Sequence, residues 1–288
     1  MDRSGTKVLY TAKRDSVYSL WAWSGGEPVM IRETVKGAIG QMALDSWNGR
    51  RFAFTYIPDS TVTKQYELYD VTFSGLAEQQ VLFTQPGLTF SNDDPVRYSR
   101  EGGLLHYSLA RAPRMPVKDT VPSGEKFVLD VWNYRDTLIQ SQQFVQRSDV
   151  IKYTFQAMRD LNNGYDRLLK RNYFERVRMP GGRDDAPFYV ISDNSPYALS
   201  ASWERSPRPY DYWLYRPATD SREKVLEAHR GCFIASPAGR CTLFFDTSNG
   251  HWKPLDPDSK AGKVLIEGPG VNFYDEMNDT PGPAHGCG

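Results

Sequence analysis

The feature that most constrains this chain is a loose internal repeat. A short glycine-containing turn, an alternating aromatic strand, a second strand built around Trp or Tyr, and a further turn recur along the sequence. Period-two alternation between turn signals predicts short strands. A four-stranded sheet of such strands has two apolar faces and cannot hide both alone, so it must stack against neighbours of its own kind. A unit of roughly 40 to 50 residues is the usual length of one propeller blade.

The first unit reads Asp2-Arg3-Ser4-Gly5, Val8-Leu9-Tyr10, Val17 to Trp23, Ser24-Gly25-Gly26 and Val29-Met30-Ile31. The second has all four strands: Met42 to Asp45, the turn Trp47-Asn48-Gly49, Phe52 to Tyr56, Tyr66 to Val71, and Val81-Leu82-Phe83 after Ser74-Gly75. A third runs from Val96-Arg97-Tyr98-Ser99 through Glu101-Gly102-Gly103 and Leu104 to Tyr107, reaching Phe127 to Trp132 after a loop containing proline. Tyr153 to Ala157 and Asp166 to Leu169 flank Asn162-Asn163-Gly164, which predicts a hairpin with a type I′ turn. After Pro180-Gly181-Gly182, strands are expected at Tyr197 to Ala201, Tyr212 to Tyr215 and Lys224 to Leu226. The last unit comprises Cys232 to Ala235, the turn Ser236-Pro237-Ala238-Gly239, Thr242 to Phe245, His251 to Leu255 and Val264 to Ile266. The expectation is an all-β chain, residues 1–288 forming a partial β-propeller of five or six blades of four-stranded antiparallel sheets. A two-sheet sandwich also gives short strands at regular spacing, but the recurring order and the length favour the propeller.

The charges exclude some functions. Thirty-five Lys and Arg balance 35 Asp and Glu, leaving no basic field to collect phosphates, so no nucleic-acid partner is expected. No apolar run approaches the roughly 18 to 20 residues that cross a bilayer. The opening MDRSGTKVLYTAKRDSVYSLW is too polar for a signal peptide. Three cysteines, Cys232, Cys241 and Cys287, are too few for a disulfide framework and do not fix the compartment.

Two stretches, Leu129 to Gln143 (LDVWNYRDTLIQSQQ) and Val271 to Pro281 (VNFYDEMNDTP), resemble segments of bacterial prolyl oligopeptidase family proteins, especially those of the Bacteroidetes type. The resemblance implies a propeller that precedes an α/β-hydrolase domain with a Ser, Asp, His triad and screens access to it. It also implies peptide substrates, a hydrolase domain in cis and a parent compatible with export or a periplasmic location. The hydrolase is expected downstream of Gly288, and both ends of the chain read as ends of a fragment. Open blade edges would then favour dimerisation and poor behaviour in isolation.

A hydrolase nucleophile needs the G-x-S-x-G elbow, where small residues permit a strained strand-to-helix turn. The sequence contains none, so the family triad has no positions here. His106, His229, His251 and His285 are the candidate bases; His106 sits in an alternating strand and His251 beside a Gly-Trp turn, and packing or surface polarity is the expected role of each. Counting back from Ser236 to Gly239 sets Cys241 opposite Ile234 rather than Cys232, so both read as small buried residues. No C-x-x-C pair offers a zinc site. Asp160 to Asp166 resembles a calcium loop, but glycine comes fifth and position twelve is Arg171, not glutamate. Gly262-Lys263 has Pro257 where a phosphate loop needs glycine. The acidic segments Asn92-Asp93-Asp94-Pro95 and Arg183-Asp184-Asp185 lie in predicted loops, as solvated charge or as charge that selects peptide ends.

We therefore expect no catalytic, cofactor-binding or metal-binding residue within this chain. Its expected role is to gate and position peptides for a hydrolase domain outside it. The alternatives are a stand-alone propeller that binds protein or glycan partners, and a surface-exported structural module.

Overall fold

The structure is a computed structural model. It describes residues 1–60, 65–83, 85–112, 122, 132–182, 184–200, 203, 207–236 and 241–255. The chain divides into two compact units, Met1–Leu168 and Leu169–Gly288.

The first unit holds three antiparallel sheets formed in succession. Sheet one is β1 (Val8–Arg14), β2 (Val17–Trp23) and β3 (Val29–Thr34), in that order. Sheet two is a four-stranded meander of β4 (Ala38–Leu44), β5 (Arg51–Ile57), β6 (Glu67–Thr72) and β7 (Glu78–Val81). Sheet three centres on β10 (Leu104–Arg111), followed by β11 (Phe155–Asp160) and β12 (Asp166–Leu168). On the other side of β10 lie two short strands, β8 (Leu88–Phe90) and β9 (Arg97–Tyr98). These pair with opposite ends of β10, Phe90 with Leu109 and Tyr98 with Leu105. They are one first strand of a meander, interrupted by the acidic segment Asn92 to Pro95.

Sheet two is buried on both sides. Phe52, Phe54 and Val71 pack against Leu20 and Ala22 of sheet one. Ala43, Ala53, Leu68 and Val81 pack against Val96, Tyr98, Leu105 and Tyr107 of sheet three. The alternation along β5 thus puts large aromatics toward one neighbour and small residues toward the other. Phe52, Ala53 and Phe54 are each 0% exposed. A two-sheet sandwich would leave one of these faces in water, whereas face-to-face stacking in series is the blade arrangement.

The second unit repeats the pattern. Sheet four is β13 (Glu175–Arg178), β14 (Tyr189–Asp193), β15 (Tyr210–Arg216) and β16 (Ser221–His229). Sheet five is β17 (Phe233–Ala235), β18 (Thr242–Asp246) and β19 (His251–Leu255). Their shared core contains Phe188, Val190, Tyr212, Leu214, Phe233 and Leu255. The Tyr212 and Phe233 rings stack across it at 4.8 Å.

The all-β expectation holds, with corrections. Among the described residues, sheets one and five have three strands rather than four. The expected strand at Tyr197 to Ala201 is not one over its described residues, Tyr197 to Ser200: Ser195–Tyr197 is a short 3-10 turn. The Asp193 carboxylate accepts the Ser195 N–H at 2.8 Å, and Pro196 removes a ladder donor. The strands of that sheet are β13 and β14 instead, and sequence reading passed over both. The expected strand at Phe127 to Trp132 lies mostly outside the described residues, and Trp132 itself is exposed loop. Two short helices follow, α1 (Gln140–Val145) and α2 (Arg147–Ile151), and neither buries a residue. The expected strand at Val264 to Ile266 and the second resembling stretch, Val271 to Pro281, lie outside the described residues.

Two-sided burial makes a specific prediction. Phe52→Ala should cost about 3–5 kcal/mol, and Ala53→Leu, on the opposite face, about 1–3 kcal/mol by overpacking. Urea denaturation of the two variants checks both values; an Ala53→Leu protein as stable as wild type would mean that this face is not packed.

Candidate functional site

Tight turns with aspartate at their first position gather at one end of the first unit. Three turns of the chain share the pattern D-x-x-N-G: Asp45 to Gly49, Asp160 to Gly164 and Asp246 to Gly250. In each, the N–H of the glycine reaches the carbonyl of the aspartate, at 2.7, 2.8 and 2.9 Å respectively. The glycines take φ of +60°, +71° and +71°. The aspartate carboxylate closes the turn from inside, as where Asp160 accepts the N–H groups of Asn162 and Asn163 at 2.8 and 3.1 Å. This Asx geometry is why aspartate starts such turns. It also corrects the type I′ expectation, because among these loop residues only Gly164 has positive φ. The calcium-like segment is therefore a turn whose carboxylate is occupied by the chain's own N–H groups. Burial alone would raise the Asp160 carboxyl, but those N–H groups outweigh it and hold it below the usual carboxylate range.

The turns of the first unit interlock. Arg3 N–H donates to the Ser46 carbonyl at 3.0 Å, and the Lys7 ammonium donates to the Gly49 carbonyl. Asn48 Nδ2 donates to the Arg100 carbonyl at 3.4 Å. The guanidiniums of Arg3 and Arg100 lie over the Trp47 indole, 3.1 and 4.2 Å from its centroid, a cation–π arrangement. Between the turns is a cavity of about 590 Å³ lined by Lys7, Asp45, Asn48, Arg51, Phe73 and Glu101 among others. Its charges are largely engaged by the protein itself. Arg51 pairs with Asp70, and Asp45 accepts Asn48 N–H at 3.1 Å. Such a basin can hold a polar ligand by hydrogen bonds, but it presents no nucleophile beside a base.

Carboxylates deeper in the fold likewise serve packing. Tyr98 on β9 donates to Asp70 on β6 at 2.6 Å, tying sheet three to sheet two. Burial, then the adjacent Asp70 charge, raises the Tyr98 phenol well above its usual value. Tyr107 donates to Asp166 at 2.8 Å and Arg159 pairs with the same carboxylate at 3.0 Å. In the second unit, Tyr197 and Lys224 converge on Asp211 at 2.6 and 2.7 Å.

The acidic segment Asn92 to Pro95 is also absorbed. β4 bulges between Ile39 and Met42, and Asn92 Oδ1 accepts the freed Gln41 N–H at 2.6 Å. Asp93 accepts from the Ser91 hydroxyl at 3.2 Å and Asp94 from the Thr154 hydroxyl. Asp184 and Asp185 both have partners, the Asp184 carbonyl accepting the Tyr189 hydroxyl at 2.6 Å; Arg183 lies outside the described residues.

The described histidines lie on three strands. His106 is buried on β10 and paired with Arg97 and Met158 across the sheet. His229 ends β16, its ring edge-on to Tyr212 and Phe244, both at 5.7 Å. Its Nε2 faces the Cys232 carbonyl at 3.4 Å, and burial lowers its pKa. His251 begins β19, its Nδ1 buried without a hydrogen-bond partner. His285 and Gly262-Lys263 lie outside the described residues.

The cysteine expectations need correction. Residue 241 lies opposite Ser236, not Ile234, as the Ser236 N–H to Cys241 carbonyl bond of 2.8 Å shows. Cys241 is a free, exposed thiol rather than a buried one. Cys232 is disulfide-bonded, and half-buried. Among the described residues, no group of three His, Cys, Asp or Glu side chains could hold a metal ion, and no helix is long and apolar enough to cross a membrane.

Protonation of His229 should register in stability. Its folded pKa lies below the ordinary value of 6.5, so the folded state binds fewer protons than the unfolded chain. The resulting stability is complete above about pH 6.5 and is lost as pH falls through the folded pKa. Thermal melts between pH 8 and 5 should show a smaller acid loss for His229→Gln than for wild type. At lower pH the Asp246 carboxyl takes over. Burial would raise it, but the Lys253 ammonium and Ser248 hydroxyl hold it at about 2. Its contribution, complete above the ordinary carboxylate range, should fade toward pH 2 and be missing from Asp246→Asn melts.

No family model and no curated protein matches the chain. Among solved structures it is similar to TolB from Acinetobacter baumannii, at 11% identity and a TM-score of 0.35, over 91% of this chain and 53% of that one. A prolyl endopeptidase structure matches at 11% identity and TM-score 0.37, over 91% and 36%. An oligogalacturonate lyase solved with manganese matches at 13% identity and TM-score 0.41, over 92% and 63%. The chain thus spans about half the length of TolB and about a third of the prolyl endopeptidase. TolB and the prolyl endopeptidase both contain propellers.

Proposed function

We propose that this chain is a non-catalytic propeller segment of a prolyl oligopeptidase-type serine peptidase. In this reading it gates and positions peptide substrates for a hydrolase domain carried elsewhere in the polypeptide. The observation that carries the reading is the serial stacking of sheet two between sheets one and three. That packing is what a propeller requires and a sandwich forbids. The two resembling stretches, Leu129 to Gln143 and Val271 to Pro281, supply the peptidase connection.

A rigid stack of blades with interlocked turns suits a screening role. The stack sets the width of an entrance, and the turns at its end supply polar groups that contact an extended chain on the way in. Catalysis then needs nothing from this segment beyond orientation and exclusion, and the triad belongs to the hydrolase domain.

The test is size selection. A parent protein carrying the hydrolase domain should cleave a short chromogenic prolyl peptide but spare a long unfolded protein. Removing residues 1–288 should leave the short substrate within a few-fold of its original rate and expose the long one to cleavage. Turnover of the short peptide by the isolated chain, or a serine-independent activity in the parent, would sink the proposal.

A further inference from the structure

The three D-x-x-N-G turns all contain the dipeptide Asn-Gly. Asparagine is thermolabile, most so before glycine, where no side chain hinders the next backbone nitrogen from reaching the amide carbon. Asn48-Gly49, Asn163-Gly164 and Asn249-Gly250 hold that nitrogen in the same way, in the bond from the glycine N–H to the aspartate carbonyl. They differ in how they hold the asparagine amide.

In the first turn Asn48 Nδ2 donates to Asp45 Oδ1 at 3.3 Å and to the Arg100 carbonyl at 3.4 Å. Gly49 is itself buried, with the Lys7 ammonium on its carbonyl. In the second, Asn163 Nδ2 donates to Asp160 Oδ2 at 3.1 Å. The third aspartate is committed elsewhere. Asp246 Oδ1 accepts the N–H and the hydroxyl of Ser248 at 3.0 and 2.6 Å, and Oδ2 accepts the Lys253 ammonium.

Asn249 is exposed, and among the described residues its Nδ2 has no hydrogen-bond partner. Its Oδ1 accepts the His251 N–H at 3.1 Å. That bond draws electrons from the amide carbon and stabilises the oxygen as negative charge develops on it. The leaving nitrogen is thus unheld while the carbonyl is polarised, the reverse of what the other two turns do.

We propose that Asn249 is a site of spontaneous deamidation, and that Asn48 and Asn163 are protected by their own turns. The Gly250 nitrogen gives its proton to water or hydroxide and forms a bond to Asn249 Cγ. The Cγ–Nδ2 bond breaks, and Nδ2 takes a proton from solvent and leaves as ammonia, closing a five-membered succinimide. Water then opens either carbonyl, giving aspartate or isoaspartate at position 249. Isoaspartate carries the main chain through Cβ and Cγ, one methylene longer, in the loop that sets the Asp246–His251 pairing of β18 with β19. The new carboxylate also lies three residues from Asp246, so both products loosen this hairpin of sheet five. The proposal does not depend on the peptidase reading.

The full chain would be held in mildly alkaline buffer for several weeks and digested. Peptide mass spectrometry would then read the mass gain and isoaspartate content at each Asn-Gly site. Asn249 is expected to convert about tenfold faster than Asn48 or Asn163, the order of effect of one side-chain hydrogen bond. In urea the three sites should converge, because the dipeptide is the same. Asp160→Ser keeps a side-chain oxygen for the turn N–H groups but releases the Asn163 amide, and should raise conversion there toward that of Asn249. The urea comparison needs no variant and decides the matter if Asp160→Ser folds poorly. No conversion at Asn249, equal rates at the three sites in the folded chain, a difference that persists in urea, or an unchanged Asn163 in a folded Asp160→Ser chain would overturn the proposal.

Discussion

Everything in the first unit depends on a sheet that cannot be half wet. Phe52 and Phe54 point one way from β5 and Ala53 the other, and all three are fully buried. Sheet two must therefore have a neighbour on each side. Sheet one supplies Leu20 and Ala22, and sheet three supplies Leu105 and Tyr107. Stacking in series follows from the strand's own alternation. Ala43 and Ala53 face sheet three, and Phe52 and Phe54 face sheet one. The second unit uses the same solution, with Tyr212 stacked on Phe233 between its two sheets.

Stacked sheets bury polar groups at their ends, and aspartate satisfies most of them. Asp160 and Asp246 each close a turn through N–H groups of their own loop. Asp70 and Asp211 each accept a tyrosine hydroxyl and a cation from other segments of the chain. A carboxylate consumed in this way is fixed in place and withdrawn from chemistry. The balanced charge of the chain thus has a structural use, and the loops suspected of selecting peptides, Asn92 to Pro95 above all, are ties between sheets. Groups left over for recognition are correspondingly few. Among the described residues they include the turns around Trp47, where Arg3 and Arg100 lie over the indole.

Local pattern alone fixed a good deal. The alternation in Val17 to Trp23 and in Phe52 to Tyr56 marked β2 and β5, because a period of two is a property of neighbouring residues and needs no partner. The glycines at 49, 164 and 250 marked turns for the same reason, since positive φ is cheap only there. The short strands β13 and β14 escaped notice. Glu175 to Arg178 alternates charge with a single valine, and Tyr189 to Asp193 is apolar on successive positions because both its faces are buried. Such a run reads equally as strand or helix.

What the tertiary structure alone decided is which polar groups are spent and which remain. No pattern in Asn92-Asp93-Asp94 announces that Asn92 repairs the β4 bulge, since Gln41 is some fifty residues away and the two meet only once the sheets stack. In the same way the sequence presents Tyr10 and Trp21 as two more strand aromatics, and Glu27 and Glu33 as ordinary surface charge. Pairing of β1 with β2, and of β2 with β3, brings them to the lining of one depression. The sequence determined the strands, their turns and the need for stacked sheets, because those rest on local geometry and on burial of alternating side chains. The tertiary structure determined which polar groups tie one sheet to the next, because that depends on which strands come together, a relation no single segment contains.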